Sequence, residues 1–399
     1  MRKIPTDRWL EIDVDAITHN LEQVKARLPD KVRLIAVVKA EAYGHGAVTT
    51  AHILYQNGVD FFAVSFLDEA LALRRAGIRA RIMLLTPLVT KEQVIKALQK
   101  RITLTITSLY DCHLLDTISR GINVKATVHL KVDTGLGRFG LNREELIEVC
   151  QILKTNPCIY IEGIYTHMAE AASSNPVYTR KQFSHFLSMI NELKEAGFIV
   201  PMCHCANSAI FLKYPEMHLN AVRIGTLISG ELPAGKFDNR LDLIDPYKYK
   251  SRVISLRTLD KGSFLGYNRT ARLSQQAQVA VIPVGYIHGL ALQVANRPAG
   301  RLDFLKVLVK HILAYSNLSR FTLNVKINGC KYPIRGKVFM QMTLVEIPLH
   351  SPVKVGDEVE VPMRKTLAIK SLNRVYTKSA KPSTIEDGKR ILYGRRIAK

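Results

Sequence analysis

The 399-residue sequence predicts an α/β protein, with an N-terminal (β/α)8 barrel over 1–238 and a C-terminal, mostly β domain over 239–399. Three observations lead there. Eight short, apolar, β-branched runs alternate with helix-period segments in the first part of the chain, and such alternation demands a parallel sheet with crossover helices. After about residue 235 the helix period gives way to two-residue alternation. The residues able to do chemistry also fall at the C-terminal ends of the predicted barrel strands, which in a barrel converge on one mouth.

The eight runs are LIAVV (34–38), FFAVS (61–65), IMLLT (82–86), TLTI (103–106), TVHLKV (127–132), EGIYT (162–166), PMCHC (201–205) and AVRIG (221–225). Each is the length of a buried strand. Between them, LDEALALRRAG (67–77), KEQVIKALQK (91–100), REELIEVCQILK (143–154) and RKQFSHFLSMINELKEAG (180–197) repeat apolar residues at three- and four-residue spacing and read as helices. An open doubly wound sheet is the structural alternative. In the second part, SRVISLRTL (251–259), AQVAVIPVGY (277–286), LNVKING (323–329) and DEVEVPM (357–363) read as strands, and DFLKVLVKHILAYS (303–316) as a helix inserted between strands at about 297–320.

Composition narrows the function. With 47% hydrophobic and 23% charged residues the chain is globular. No apolar run reaches the length of a membrane span or, near the N-terminus, of a signal peptide, so a cytoplasmic protein without a membrane partner is expected. The six cysteines have no secreted-framework spacing and read as free thiols. Cys203-His204-Cys205 is a poor metal site, because neighbours on a strand point to opposite faces and no second ligand pair follows at zinc spacing. The net charge of +23 would attract nucleic acid, anionic lipid or anionic substrates. Much of it lies late, at Lys370, Arg374, Lys378, Lys381, Lys389, Arg390, Arg395, Arg396 and Lys399. No nucleic-acid motif accompanies it, so it reads as a solvated basic surface.

Lys39, the segment Lys131 to Arg138, His167, the Asn207-Ser208 pair and Arg223 lie at or just beyond strand ends. Lys39 follows LIAVV directly, and burial there would lower its pKa and make the amine a Schiff-base nucleophile. A lysine after a strand is by itself more often a solvated end, so the surrounding string AVVKAEAYGHG (36–46) decides. That string resembles the lysine segment of the alanine racemases. The resemblance continues through RWLEIDVDAITHNL (8–21), FAVSFLDEALALRRAG (62–77), HLKVDTGLGRFG (129–140), IYTHMA (164–169), HCANSA (204–209), VRIG (222–225), GYNRTA (266–271), IPVGY (282–286) and GKVFM (336–340).

The resemblance implies a pyridoxal 5'-phosphate enzyme acting on a small amino acid, built as a head-to-tail homodimer with two shared sites and supplying D-alanine for peptidoglycan. Lys39 would bind the cofactor covalently and act as base for one enantiomer, and Tyr267 of the other subunit would act on the opposite face. Racemisation removes a proton from one side of a planar carbanion and returns one to the other, so two groups must flank it. An ordinary tyrosine is a poor base at neutral pH, so hydrogen bonding must stabilise its phenolate. The matching histidine, His167, would touch that tyrosine and Arg223.

Arg223 would face the pyridine nitrogen, leaving it without a proton and favouring reprotonation over side reactions. Tyr43, Ser208, Gly225 and Thr226 match the phosphate set, and Leu85 and Asn207 join them among the cofactor contacts. Arg138 and Met340 would contact substrate, with Lys131, which carries a carboxyl group in relatives, and Tyr286 in support.

Departures from the family pattern cluster near the substrate and in the second domain. Gln341 stands where an aspartate usually follows Met340, Ile287-His288 replaces alanine-aspartate, and AEAASS follows Met168. The region 291–320 is longer than usual. The basic tail lacks a tyrosine-glutamate segment that supplies a phosphate contact, for which Tyr376 is a stand-in. These changes leave open a racemase of another amino acid, such as serine or a basic one. A barrel-type pyridoxal decarboxylase would place a glutamate where Arg223 stands, a noncatalytic pyridoxal carrier would lack the second domain, and the non-enzyme alternative is a basic nucleic-acid-binding protein.

Overall fold

The computed structural model describes residues 7–235, 237, 241–292, 300–315, 323–367, 372–378, 381–387 and 390–393. Lys370, Lys389, Arg395, Arg396 and Lys399 of the basic tail lie outside them. Two compact units result, Val14–Pro246 and Met1–Asp13 with Tyr247–Lys399.

In chain order the first elements are β1 (Arg8–Asp13), α1 (Val14–Arg27), β2 (Arg33–Val37), α2 (Lys39–Tyr43), α3 (Ala47–Gln56), β3 (Phe61–Val64), α4 (Leu67–Arg75), β4 (Arg81–Leu84) and α5 (Lys91–Gln99). They continue with β5 (Leu104–Ile106), α6 (Leu109–Ile122), β6 (Ala126–Lys131), α7 (Arg143–Lys154), β7 (Ile159–Tyr165), α8 (Val177–Glu195), β8 (Met202–His204), α9 (Ser208–Lys213) and β9 (Ala221–Ile224).

Strands β2 to β9 form two four-stranded parallel sheets, in the orders β4-β3-β2-β9 and β5-β6-β7-β8. Parallel bridges from Met83 to Thr103 and from Ala206 to Val222 join their edges, so the eight strands close into a barrel. Closure leaves no strand edge and explains why these runs are apolar almost throughout, since one face meets the helices and the other the barrel interior. Ile35, Val37, Phe61, Ala63, Met83, Tyr165, Met202 and Ala221 form one buried cluster. The helices are capped by residues legible in the sequence: the side chains of Thr90, Ser108 and Asn142 accept from the first turns of α5, α6 and α7.

One strand departs from regularity. Val128 of β6 pairs with Ile161, but the next residue, His129, pairs with Gly163, so Glu162 is an extra residue in β7. A bulge of this kind re-aims a side chain. Gly163 is required beside it, because a Cβ there would lie 2.5 Å from the His129 ring.

The second unit contains β10 (Tyr247–Arg252), β11 (Ser255–Leu259), β12 (Phe264–Leu265), β13 (Ala271–Arg272), β14 (Ala277–Ile282), α10 (Arg301–Tyr315), β15 (Asn324–Ile327), β16 (Cys330–Arg335) and β17 (Thr343–Ile347). β18 (Glu358–Val361), β19 (Arg374–Lys378), β20 (Lys381–Asp387) and β21 (Arg390–Tyr393) complete it. Eleven strands form one sheet in the order β11-β14-β17-β16-β15-β18-β10-β1-β19-β20-β21.

The predicted boundaries need two corrections. Residues 7–13 do not belong to the barrel, because β1 pairs antiparallel with β10 and parallel with β19. Its backbone groups find their partners in the β unit, where Trp9, Leu10 and Ile12 are fully buried. The division also falls at Pro246 rather than 238. The chain after the barrel runs back over α1, where buried Asn20 donates to the carbonyl of Ile244 at 2.8 Å and accepts from its N–H at 2.8 Å. Within the inserted region the helix occupies Arg301–Tyr315 and exposes Phe304, Leu305 and Ile312.

Gly163→Ala should destabilise the protein by about 1–3 kcal/mol, because the methyl group must displace the His129 ring. Gly121→Ala, at the exposed end of α6 with nothing within 4 Å of the added carbon, should be neutral or stabilising by up to ~1 kcal/mol. Denaturant melts of the two variants should therefore move in different directions, and matching midpoints would refute the close approach at Gly163.

Candidate active site

The C-terminal ends of the barrel strands surround a cavity of about 620 Å³, within the usual range of small-molecule sites. Lys39, Tyr43, Leu85, Arg138, His167, Asn207, Ser208, Arg223, Gly225 and Thr226, all expected from the sequence, line it. Its wall is strongly cationic. Burial lowers the pKa of the Lys39 amine, the guanidinium of Arg138 lowers it further, and Arg223 adds to this against the opposing pull of Glu69.

Lys39 is presented by an unusual piece of backbone. Ala40, Glu41, Ala42 and Tyr43 all have φ between 48° and 58°, a left-handed turn that costs L-residues roughly 1–2 kcal/mol each. Two carboxylates hold it. Glu69 accepts from Ala40 N–H at 2.6 Å and from the N–H groups of Ser65 and Phe66, tying the turn to the start of α4. Glu41 accepts from Ala47 N–H at 3.1 Å. Neither glutamate was expected from the sequence as a site residue, although Glu69 stands at the third helical position, where capping carboxylates recur. Tyr43 then packs on the backbone of Gly225, where a Cβ would lie 2.3 Å from its hydroxyl oxygen. Burial and the charge of Glu231 push the Tyr43 hydroxyl up to about 12, so it stays a donor.

Arg138 comes from the loop after β6. Asp133 folds that loop by accepting from the N–H groups of Gly135, Leu136 and Gly137 at 2.8 to 3.0 Å. Lys131, in the same region, is buried, donates to the carbonyl of Phe139 and lies 4.6 Å from that ring's centre. Burial and then Arg138 bring its amine down to about 8.

Arg223, on β9, crosses the barrel interior. It donates to His204 Nδ1 at 2.6 Å, to the Thr166 carbonyl at 2.8 Å and to His167 Nδ1 at 3.4 Å. Its guanidinium carbon sits 5.0 Å from the centre of the Tyr165 ring, and Tyr165 stacks on His204 with ring centres 4.9 Å apart. Tyr165 was missed because a tyrosine ending an apolar run reads as core. Burial holds His167 neutral, with Arg223 and Arg138 adding to the effect, and its pKa falls to about 3.

The other expected residues belong to the β unit. Tyr267, Tyr286 and Met340 are drawn to one surface there. Tyr286 N–H donates to the Phe339 carbonyl at 3.0 Å, Ile287 N–H to the Met340 carbonyl at 3.1 Å, and the Tyr267 and Phe339 rings meet edge to face at 5.1 Å. Their exposures are 71% for Tyr267, 53% for Met340 and 42% for Tyr286. His288 is buried and its ring accepts from Gly285 N–H. Tyr376, in β19, is fully buried and is not among the residues lining the cavity. No group of three or more His, Cys, Asp or Glu suited to a metal occurs among the described residues, and no helix among them is long and apolar enough to cross a membrane.

A buried amine with a depressed pKa beside two arginines, in a cavity at the mouth of a closed parallel barrel, defines the class as an α/β-barrel protein with a desolvated-lysine site. Comparison with known proteins narrows the class. The family model "Alanine racemase, N-terminal domain" matches residues 12–233 and "Alanine racemase, C-terminal domain" residues 247–391. The chain is similar to the alanine racemase of Methanococcus maripaludis, at 33% identity over 88% of both chains, and to that of Desulforamulus reducens, at 34% over 88% of both. Among solved structures, an alanine racemase of Clostridium difficile superposes with a TM-score of 0.86 at 27% identity, covering 97% of this chain and 100% of that one. The chain belongs to the alanine racemase family and is an isomerase of the racemase class.

His129, His167 and His204 are all held neutral, chiefly by burial. Their proton affinities in the folded state are depressed below the ordinary 6.5, so below that pH the unfolded chain binds protons that the folded one does not. Stability present above about pH 6.5 is therefore lost as pH falls, by up to about 1.4 kcal/mol per pH unit for each histidine. The apparent melting temperature should drop steadily from pH 7 to pH 5 and less steeply in His167→Gln. A midpoint that is flat or rising over that interval would contradict the neutral assignment.

Proposed function

We propose that this protein interconverts L- and D-alanine with pyridoxal 5'-phosphate held at the barrel mouth. The observation that carries the reading is Lys39, a desolvated amine at the end of β2 inside a cavity that Arg223 and Arg138 also line. The residues present suit the cofactor. Thr226 Oγ1 is buried without a protein partner among the described residues, and beside it Gly225, Ser208 and Tyr43 line the cavity, a donor set fit for a phosphate. Asn207 and Leu85 would contact the cofactor from the same wall. Tyr376, fully buried in β19, has no role in this phosphate set.

When bound, the cofactor withdraws electrons from Cα and so acidifies its hydrogen. The Lys39 amine, neutral in larger fraction than an exposed lysine, takes or returns that proton on one face. Tyr267 of a partner subunit serves the opposite face in a homodimer with shared sites. Arg223, fixed by His204 and the Thr166 carbonyl, would offer a permanent donor to the cofactor's ring nitrogen, and His167 stays a neutral acceptor. Arg138 and the main chain at Met340 orient the substrate carboxylate, with Tyr286 beside Met340. At a pKa of about 8, Lys131 has a neutral fraction able to add carbon dioxide, and the carboxylated side chain would hold Arg138. The setting is a cytoplasmic one, and the product D-alanine would serve peptidoglycan.

A racemase of a different amino acid is the second reading, favoured by Gln341 and Ile287-His288 beside Met340. A histidine racemase of Leuconostoc mesenteroides shares the fold, with a TM-score of 0.78 at 23% identity. Exchange of the Cα hydrogen measured over a panel of amino acids separates the two, and fastest exchange with alanine is the expected result.

Lys39→Ala should abolish covalent cofactor binding, because only an amine there forms the linkage. A borohydride-reducible adduct surviving in that variant would sink the assignment. Tyr267→Phe should slow racemisation by ~10²–10⁴-fold, the usual loss on removing one general base. Label release from one enantiomer deuterated at Cα should persist. Unchanged racemisation of both enantiomers would remove Tyr267 from the mechanism.

A further inference from the structure

Arg223 is buried in the barrel, and none of its hydrogen-bond partners among the described residues is a carboxylate. The compensating charge stands further off. His204 Nε2 lies 2.8 Å from His129 Nδ1, and His129 Nε2 lies 3.1 Å from Glu162 Oε2. The other carboxylate oxygen, Oε1, accepts from Arg81 at 2.5 Å. Five side chains thus form one continuous line through the barrel, and both imidazoles in it are fully buried.

The ends of the line dictate its direction. A guanidinium only donates, so His204 Nδ1 must accept and His204 must carry its hydrogen on Nε2. That hydrogen makes His129 Nδ1 an acceptor, so His129 also carries its hydrogen on Nε2 and donates it to Glu162. A carboxylate only accepts, and Glu162 takes one donor from each side. Every donor in the line therefore points toward Glu162, and neither histidine has a choice of tautomer. No proton moves. Burial keeps both rings neutral, and for Glu162, burial pushes the carboxyl up but His129 and then Arg81 reverse this and leave it below the ordinary range. Within a low-dielectric interior, consecutive hydrogen bonds polarise one another and bring part of the carboxylate's effect to the far end.

We propose that Glu162 and His129 are positioning residues of the active site, which fix His204 as the Nε2–H tautomer and so hold the Arg223 guanidinium at the cavity wall. The bulge in β7 turns Glu162 into the line, and Gly163 makes room for the His129 ring. The proposal rests on the reading that Arg223 serves the cofactor's ring nitrogen.

Glu162→Gln tests it. In the variant Arg81, a pure donor, captures the single amide oxygen and turns the NH2 group toward His129 Nε2. His129 must then move its hydrogen to Nδ1, His204 follows, and two donors confront each other at Arg223. Arg81→Leu with Glu162→Gln frees the amide oxygen to face His129 and should restore the original order. Arg81 is half-exposed, so its loss by itself should do little to stability.

Imidazole nitrogen-proton NMR on the full-length protein at pH 7 should show Nε2–H for both His129 and His204 in the wild type. It should show Nδ1–H in Glu162→Gln and a return to Nε2–H in the double variant. Racemisation kcat should fall at least tenfold in Glu162→Gln with a smaller change in KM, and recover in the double variant. An Nδ1–H tautomer at either histidine in the wild type overturns the proposal without needing a folded variant. Wild-type kcat in a Glu162→Gln protein whose tautomers have switched overturns the positioning role. A wild type that shows the expected tautomers but racemises no amino acid indicts the proposed function and leaves the directed line standing.

Discussion

A guanidinium cannot shed its charge, and a barrel interior cannot solvate one. Much of the architecture between the sheet and the site answers that conflict at Arg223. The Thr166 and His204 carbonyls take donors directly, the Tyr165 face lies against the cation, and two neutral histidines connect it to Glu162. These devices come from β6, β7 and β8, so the cation on β9 is secured only when the strands have closed into the barrel. Fixing this one charge also sets its neighbours: Arg223 and Arg138 help keep His167 neutral and lower Lys39 beyond what burial does.

At the mouth, local backbone strain and acidic side chains are paired. Four left-handed residues follow Lys39, and Glu41 and Glu69 take up N–H groups that the turn would otherwise leave without partners. Asp133 does the same for the loop carrying Arg138. These carboxylates face the backbone rather than the cavity, so the cavity stays cationic and suited to an anionic ligand. Strain of this kind persists where surrounding structure over-determines it, and it recurs at functional sites.

The chemistry was the most readable part of the sequence. Lys39, His167 and Arg223 lie at or just beyond the ends of apolar runs whose length and spacing already require a parallel sheet, so strand ends locate them with no knowledge of packing. Tyr165 and Glu162 were not readable in the same way. A tyrosine closing an apolar run looks like core, and an isolated glutamate in a strand looks like an exposed face until a one-residue bulge turns it inward. His204 was weighed only as part of a poor metal site and His129 carried no signal of its own, and only the fold brings their ring nitrogens within 2.8 Å of each other. Glu69 looked like an ordinary helix-start acid, which it is, and also supports the turn after Lys39.

Local sequence determined the elements: eight buried strands, the helices between them, the change to alternating strands, and the residue types at strand ends. Those features depend on periodicity and capping, which act over a few residues. Tertiary structure decided what depends on distant partners. RWLEID falls inside the stretch assigned to the barrel, yet its partners are β10 and β19, more than two hundred residues away, and pairing with them places it in the β unit. The direction of the hydrogen-bonded line from Arg223 to Glu162 was likewise set by barrel closure, because it exists only where β9, β8, β6 and β7 lie side by side. Hydrogen-bonding capacity is written in each residue, but which donor meets which acceptor is settled by the fold.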